Sequence, residues 1–324
     1  MKISGKQNAS KKPTFALPQP FTSNEGERSL SILGTSGSAL DCVSESQTWR
    51  LIDSGPADAA INMAIDEAIA FACQQGRAPA TLRFYTWRPF ALSIGYFQDA
   101  AVEIDLARCK AQGYGFVRRP TGGKAVLHDQ ELTYSVAARA DNPLFPKNLH
   151  GTFMVIAEAL IAGLNHLGIQ AQVFGLASRK KQVQSSERSA SCFASAMGFE
   201  IGFKGKKLIG SAQRRWREGF LQHGSILCQF DPGQLFNLLK FSDKHERNQA
   251  LAHTTQAVTS LSSILPDQPD IHHIKEGLIQ GFEEALKIRL TPSQLSPFEQ
   301  NLVQTLAHKK YGTDAWNLQR HQNP

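Results

Sequence analysis

Cys192 and Lys207 lie fifteen residues apart, and they could do thiol chemistry if the fold brings them together. A free cysteine with a pKa of about 8.5 is only a few per cent thiolate at neutral pH. An ammonium about 4 Å away attracts a thiolate by roughly 4 kcal/mol at an effective dielectric near 20. Each pKa unit corresponds to about 1.4 kcal/mol, so half that attraction makes the thiolate a major form. Such a thiolate can take an acyl group as a thioester and pass it on. Burial works the other way, so Cys192 buried without Lys207 would be inert. Spacing alone also fits an ordinary turn lysine and a cysteine buried as a small hydrophobe.

The second chemical stretch is Arg118-Arg119-Pro120-Thr121-Gly122-Gly123-Lys124-Ala125-Val126-Leu127-His128-Asp129. Gly122 and Gly123 lack a Cβ, so the backbone there can bend sharply and approach a ligand closely. Arg118, Arg119 and Lys124 would add positive charge and amide donors. Two glycines in a hairpin turn are also commonplace. His128 and His223 are acid-base candidates, with backbone orientation or pocket lining as the alternative.

The elements that must position these residues are legible as periodicity. Ile61, Ala64, Ile65, Ala68, Ile69 and Ala72 form one apolar helical stripe closed by Gly76. Residues 81–88 and 91–98 alternate around Pro89 as two strands. A short helix over 105–112 precedes strands over 114–119, 124–128 and 132–138, joined by Pro-Thr-Gly-Gly and Asp-Gln-Glu turns. Residues 153–167 read as an amphipathic helix ended by Gly168, and 170–174 as a strand. A polar loop, 175–191, delivers Cys192. Residues 197–203, 207–213 and 220–230 then read as an antiparallel meander, with Lys206 facing away from Lys207. Helices follow at about 231–241, 254–265, 270–287 and 296–310, while 258–261 reads as packing and the start of a helix. One mixed, mostly antiparallel sheet with packed helices accounts for this order, in the α+β class. Residues 1–47, rich in Ser, Lys, Pro and Gly, read as a flexible extension, 48–316 as one catalytic domain and 317–324 as a tail.

Bulk properties narrow the class. The 324 residues are 41% hydrophobic and 9% aromatic, ordinary for a globular protein. No apolar run approaches the roughly 18 residues of a membrane span, and no secretory core is present. The five cysteines, at 42, 73, 109, 192 and 228, contain no Cys-x-x-Cys pair. Their odd number and scatter argue against a disulfide framework or structural zinc and for a reducing cytoplasm. The net charge of +7 is concentrated in residues 176–220, which hold ten Lys/Arg against Glu187, Glu200 and Glu218. A basic face of this kind suits an acidic partner, and no RNA- or DNA-recognition pattern accompanies it.

The stretch 118–129, continued by Glu131-Leu132-Thr133-Tyr134-Ser135, resembles the lipoate/octanoate-handling superfamily that includes the biotin protein ligases. So do Asn62-Met63-Ala64-Ile65-Asp66-Glu67, Ser93-Ile94-Gly95-Tyr96-Phe97-Gln98, Lys207-Leu208-Ile209-Gly210-Ser211-Ala212-Gln213 and His223-Gly224-Ser225-Ile226-Leu227. The resemblance runs from about residue 49 to Trp316. It implies a mixed-sheet catalytic domain with a narrow tunnel for a medium-chain acyl group. Arg119, Thr121, Gly122, Gly123, Lys124, Ala125 and His128 would then contact substrate, and amides of Gly210, Ser211 and Ala212 would hold the oxyanion.

Within the superfamily, Ser191-Cys192-Phe193 ahead of Lys207 resembles the LipM-type octanoyltransferases, in which the cysteine is acylated and the lysine lowers its pKa. This implies transfer of octanoate from acyl carrier protein to a lipoyl-acceptor protein such as the glycine-cleavage H protein, with no ATP or metal. ATP-dependent lipoate ligases usually carry three glycines where this chain has Gly122-Gly123-Lys124, and a long side chain at 124 would crowd their acyl-adenylate. The alternatives are such a ligase, an amidotransferase between lipoyl domains, and a silent binding module that keeps the tunnel.

Overall fold

Strand β1 (Gln47–Ala57) leads into helix α1 (Ala59–Gln74). Asp58 caps α1 by accepting from the Ile61 amide, and Gly76, at φ 67°, turns the chain just beyond its end. Strands β2 (Thr81–Trp87) and β3 (Ala91–Ile94) follow, then short helices α2 (Ala100–Glu103) and α3 (Leu106–Ala111), capped by Asp99 and Asp105. Strands β4 (Gly115–Arg118), β5 (Val126–His128) and β6 (Glu131–Arg139) precede helix α4 (Leu149–His166). Strands β7 (Gln172–Gly175), β8 (Phe199–Phe203), β9 (Lys206–Arg215) and β10 (Gly219–Leu227) complete the middle of the chain. Helices α5 (Pro232–Leu238), α6 (Lys244–Ala257), α7 (Leu261–Ile264) and α8 (Ile271–Leu286) come next, then strand β11 (Ile288–Pro292). Helix α9 (Pro297–Leu306) continues as a π-helical turn over Ala307–Tyr311, and α10 (Asp314–Asn317) ends the described chain. The structure is a computed structural model and describes residues 47–175, 199–267 and 270–320. Cys42, Cys192 and the loop expected to deliver Cys192 lie outside the described residues, as do nearly all of the expected extension and part of the tail.

The mixed, mostly antiparallel α+β architecture is as expected, but it has two sheets rather than one. The larger runs β11-β1-β2-β6-β10-β9-β8-β7 and the smaller β4-β3-β5. Pro89 has no amide hydrogen to continue the β2 ladder, and beyond it the chain enters the other sheet. Strand β3 sits between β4 and β5, parallel to the first and antiparallel to the second. Pro-Thr-Gly-Gly is therefore not a hairpin turn. It crosses over β3, and the parallel β3–β4 pair needs the α2–α3 connection.

The expected helix over 254–265 is also corrected. Helix α6 lies earlier, and the chain breaks at Val258 before α7. Residues 244–250 are almost wholly polar, so they carry no apolar stripe to read. Val258 leaves the helix to bridge Lys207, and Val258 and Leu261 are buried, as the packing role of 258–261 requires. Strands β1 and β11 and helix α2 were not foreseen; the short β11 and α2 are marked by no strong periodicity.

Apolar residues alternate to either side of the large sheet. Leu132, Tyr134, Val136 and Ala138 of β6 pack with α4 and α8 on one side. On the other side, α1 packs with Tyr85, Trp87, Leu221, Tyr311 and Trp316. A third cluster joins the small sheet to α5 and the end of β10. No helix among the described residues is long and apolar enough to cross a membrane.

Between α1 and the large sheet lies a buried ion pair, Asp66 Oδ1 to Arg83 Nη1 at 2.6 Å, with both side chains fully enclosed. Tyr85 and Ser135 each donate to Asp66 at 2.8 Å. Burial alone would raise the Asp66 pKa, but Arg83, His223 and Ser135 outweigh it and hold the carboxyl below its ordinary value of 3.8. Because the folded value lies below the unfolded one, this carboxylate stabilises the fold above about pH 4 and loses that contribution as pH falls further. Arg83→Met leaves the Asp66 charge without its cation and is expected to lower the unfolding free energy by about 3–5 kcal/mol, read from denaturant midpoints. A loss below about 1 kcal/mol would rule out this pair as the main tie between α1 and the sheet.

Candidate active site

Lys207 becomes a functional candidate because of where β9 starts. Lys204 and Gly205, at φ 48° and 77°, form the two-residue turn between β8 and β9, a geometry that fits the sheet's twist. Pairing shifts from Ile201–Ile209 to Gly202–Lys207, so β9 carries an extra residue there. A bulge of this kind re-aims a side chain. Lys206 is exposed, as expected, and Lys207 is buried. The Lys207 carbonyl accepts from the Thr259 amide at 2.8 Å, fixing the backbone from the far side. Its Nζ lies 3.0 Å from Glu200 Oε1. A Cβ built on Gly210 would stand 3.0 Å from Lys207 Cε, so the absence of a side chain at 210 leaves the lysine its path.

Lys207 lines a cavity of about 730 Å³ of empty space, its open mouth included. Met63, Tyr85, Trp87, Val126 and Ala212 give it apolar walls, and Glu200 and Lys207 stand together in its lining. Of the residues expected at substrate, Arg119, Gly123, His128, Gly210, Ser211 and Ala212 also line it. Thr121, Gly122, Lys124 and Ala125 do not; Ala125 is wholly buried in the small-sheet core. The Lys124 ammonium lies 3.9 Å from Glu103 Oε2. Strand β8 pairs with β9 only as far as Ile209, so the outer edge of β9 at Gly210–Ala212 carries no paired strand among the described residues.

The two arginines do not present bare charge to a ligand. Arg118 is fully buried and donates to the carbonyls of Gly95, Tyr96, Gln98, Trp316 and Asn317. Arg119 donates to Ser93 on one side and to the Gly122 and Lys124 carbonyls on the other, which braces the glycine loop. A Cβ on Gly122 would meet nothing within 4 Å, so the close approach lies between Gly123 and Gly95. Gly123 sits at φ 95°, and a Cβ on Gly95 would fall 1.9 Å from the Gly123 carbonyl oxygen. Of the basic run, Arg214 donates to the Pro120 carbonyl, Arg215 to Thr152, and Arg217 pairs with Glu218.

Two histidine–carboxylate pairs back the cavity. His223 Nδ1 lies 3.0 Å from Asp66 Oδ2 and its Nε2 lies 2.7 Å from Thr121 Oγ1. Desolvation pushes the His223 pKa down despite Asp66, so the ring is neutral at pH 7. Its Nδ1–H then donates to Asp66, and Thr121 donates to Nε2. His128 Nδ1 lies 2.7 Å from Glu131 Oε1 and its Nε2 lies 2.6 Å from Ser93 Oγ. Glu131 also accepts from Thr133 and Ser225. Burial raises its pKa, but His128, Ser225 and Thr133 outweigh that and hold it below its ordinary value. The His128 ring stacks on Trp87 at 4.0 Å. Both nitrogens of each imidazole are thus engaged within the protein, and of the two sequence readings the orienting role fits.

Asp66, Glu131, Ser93 and Arg83 were not singled out in the sequence, although a signal exists for one group. Glu131, Thr133 and Ser135 alternate with Leu132, Tyr134 and Val136 on a strand buried on both faces, so a buried polar row had to meet partners. Glu200 carried no signal beyond its charge. Cys73, Cys109 and Cys228 are buried, and desolvation pushes their thiols up to about 11, 11 and 12, so they are inert, as expected.

The lipoyl protein ligase A/B catalytic domain family matches residues 58–283. The octanoyltransferase LipM of Kyrpidia tusciae is 43% identical over 274 residues, 85% of this chain and 100% of that protein. That of Brevibacillus brevis is 41% identical over 275 residues, again 85% and 100%. The solved structure of a bi-partite lipoate protein ligase from Thermoplasma acidophilum, studied with its E2 lipoyl domain, superposes with a TM-score of 0.71 at 28% identity, covering 86% of this chain and 99% of that one. By these measures the chain belongs to the lipoyl protein ligase A/B catalytic domain family, as a LipM-type member.

Proposed function

We propose that this protein is an octanoyltransferase of lipoate biosynthesis that carries the acyl group on Cys192. Relatives that bear the octanoyltransferase name and align over their whole length support the activity class. The observation that carries the mechanism is the buried Lys207, set at a bulge of β9 in the lining of an apolar-walled cavity. In the first half-reaction thiolate Cys192, ionised beside Lys207, attacks the octanoyl thioester of acyl carrier protein and releases the carrier thiol. In the second, the ε-amine of a lipoyl-domain lysine attacks the enzyme thioester and forms an amide. Thioester exchange is close to isoenergetic and amide formation is downhill, so the reaction needs no nucleotide to drive it. Gly210, Ser211 and Ala212 line the cavity beside Lys207, which supports amides of this segment as oxyanion donors. A lipoyl domain as acceptor is supported by the ligase structure studied with its E2 lipoyl domain, and the glycine-cleavage H protein is the acceptor proposed here on resemblance alone. A thiol nucleophile suits the cytoplasm.

Incubation with octanoyl-acyl carrier protein and no nucleotide is expected to add one octanoyl group to the intact chain, removable by hydroxylamine and absent from Cys192→Ala, as read by mass spectrometry. Transfer seen only with free lipoate plus ATP would instead support a ligase, and transfer between lipoyl domains alone an amidotransferase.

Lys207→Ala is expected to slow alkylation of Cys192 about tenfold at pH 7, with the parental rate recovered at higher pH as the thiol ionises unaided. Superimposable alkylation profiles would remove the lysine from thiol activation. Gly210→Ala pushes on Lys207 Cε and should produce a milder form of the same defect, measured the same way.

A further inference from the structure

The far end of the β9–β10 hairpin carries a cluster of charge that the catalytic cavity does not explain. A groove of about 680 Å³ of empty space, its open mouth included, lies between that end and the segment joining β6 to α4. Its lining holds the cations Arg139, Lys147, Arg215 and Arg217 against the carboxylates Asp141 and Glu218. Arg139 is taken up by both oxygens of Asp141, at 2.8 and 2.7 Å. Arg217 lies 3.3 Å from Glu218, but its side chain is 94% exposed, so water screens that pair. Arg215 donates to the Thr152 hydroxyl at 2.6 Å and Lys147 is exposed, and neither is ion-paired to a carboxylate among the described residues. Desolvation lowers the Arg215 pKa below its ordinary value with no acid to oppose it. An anion entering the groove therefore meets positive charge that no protein acid has to give up. Trp216 stands half-buried in the same groove, and Trp and Arg are the residues that most often anchor protein interfaces.

The groove stands back from the cavity but is joined to it. Ala212 lines the cavity and Arg215 the groove, about 10 Å apart along β9. Lys207 lies roughly 26 Å from Arg215 along the same strand. Arg214, between Ala212 and Arg215, sets its guanidinium 4.9 Å from the centre of the Trp216 ring and donates to the Pro120 carbonyl at the head of the glycine loop. A partner seated in the groove must deliver its reacting group across that distance. The four-carbon stem of an acceptor lysine lacks the reach, whereas a carrier protein holds its thioester at the end of a long phosphopantetheine arm. We infer that this groove docks the acidic surface of the acyl carrier protein donor, an assignment that rests on the octanoyltransferase reading above. Lys147, Arg215 and Arg217 meet carboxylates of the carrier, Trp216 packs against its apolar side chains, and the arm crosses from the hairpin end toward the glycine loop. Charge of this kind speeds encounter and sets orientation more than it adds to the chemistry.

Changing the form of the donor separates docking from chemistry. Full-length parent, the double variant Lys147→Glu/Arg217→Glu and Lys206→Glu are assayed for octanoyl transfer to a lipoyl-acceptor domain without nucleotide. The donor is either octanoyl-acyl carrier protein or octanoyl-pantetheine, which keeps the thiol arm and has no carrier. The double variant is expected to show a KM for the carrier-bound donor about tenfold higher at low salt, with kcat within about twofold of the parent. It should use octanoyl-pantetheine as the parent does. Added salt should raise the parent's KM for the carrier-bound donor and change that of the double variant little. Lys206→Glu, a charge reversal at an exposed residue at the opposite end of β9, should behave as the parent. An unchanged KM for the carrier-bound donor in the double variant overturns the assignment. So does equal loss with both donors, which would make the groove a support for the fold, or a raised KM for the acceptor domain alone, which would make it the acceptor's seat. A parent that transfers octanoate from neither donor overturns the octanoyltransferase reading itself, and this inference falls with it.

Discussion

A carboxylate with no access to water organises the catalytic half of this molecule. Asp66 on α1 accepts from Arg83 and Tyr85 on β2 and Ser135 on β6, and it meets His223 on β10. A charge in that position is tolerable only if every oxygen is paired, so one helix and three strands must keep a fixed relation. His223 extends the constraint to Thr121 and hence to the glycine loop. That loop is held again by Arg119, whose guanidinium joins Ser93 to the carbonyls of Gly122 and Lys124. The cavity walls are therefore set by ionic hydrogen bonds behind them, while the walls themselves stay largely apolar.

This arrangement separates shape from chemistry. Residues that look catalytic by type, the two histidines and their carboxylates, are spent on holding backbone and strands in register. What faces the cavity with unusual charge is the Lys207–Glu200 pair at one end of β9. A lysine so enclosed, beside an acidic partner and over a residue without a side chain, is held in one direction at a cost in mobility. That cost makes sense where a developing negative charge must be met in place.

The sequence showed the strand and helix order over most of the chain, because period-2 and period-3.6 burial leave direct traces in α1, α4, α8 and the β8–β10 meander. It did not show that β3 would slip between β4 and β5, since sheet membership depends on which surfaces meet and each of these strands is apolar enough for either sheet. It misplaced α6 because a polar helix held by caps and neighbours has no stripe to read. The buried acids were missed for a related reason, as a single Asp or Glu looks alike in sequence whether it is solvated or locked.

By itself, then, the sequence determined the family-defining motifs, the α+β class, the burial of Cys73, Cys109 and Cys228 and the opposite facing of Lys206 and Lys207. Only the tertiary structure decided that Arg118 and Arg119 clamp backbone, that His128 and His223 are fully occupied, and that Glu200 stands against Lys207. Those facts depend on residues up to about two hundred positions apart coming within hydrogen-bond range, as Arg118 and Asn317 do. Such pairings are fixed by how the sheets and helices close on one another, a property that no local pattern of residues contains.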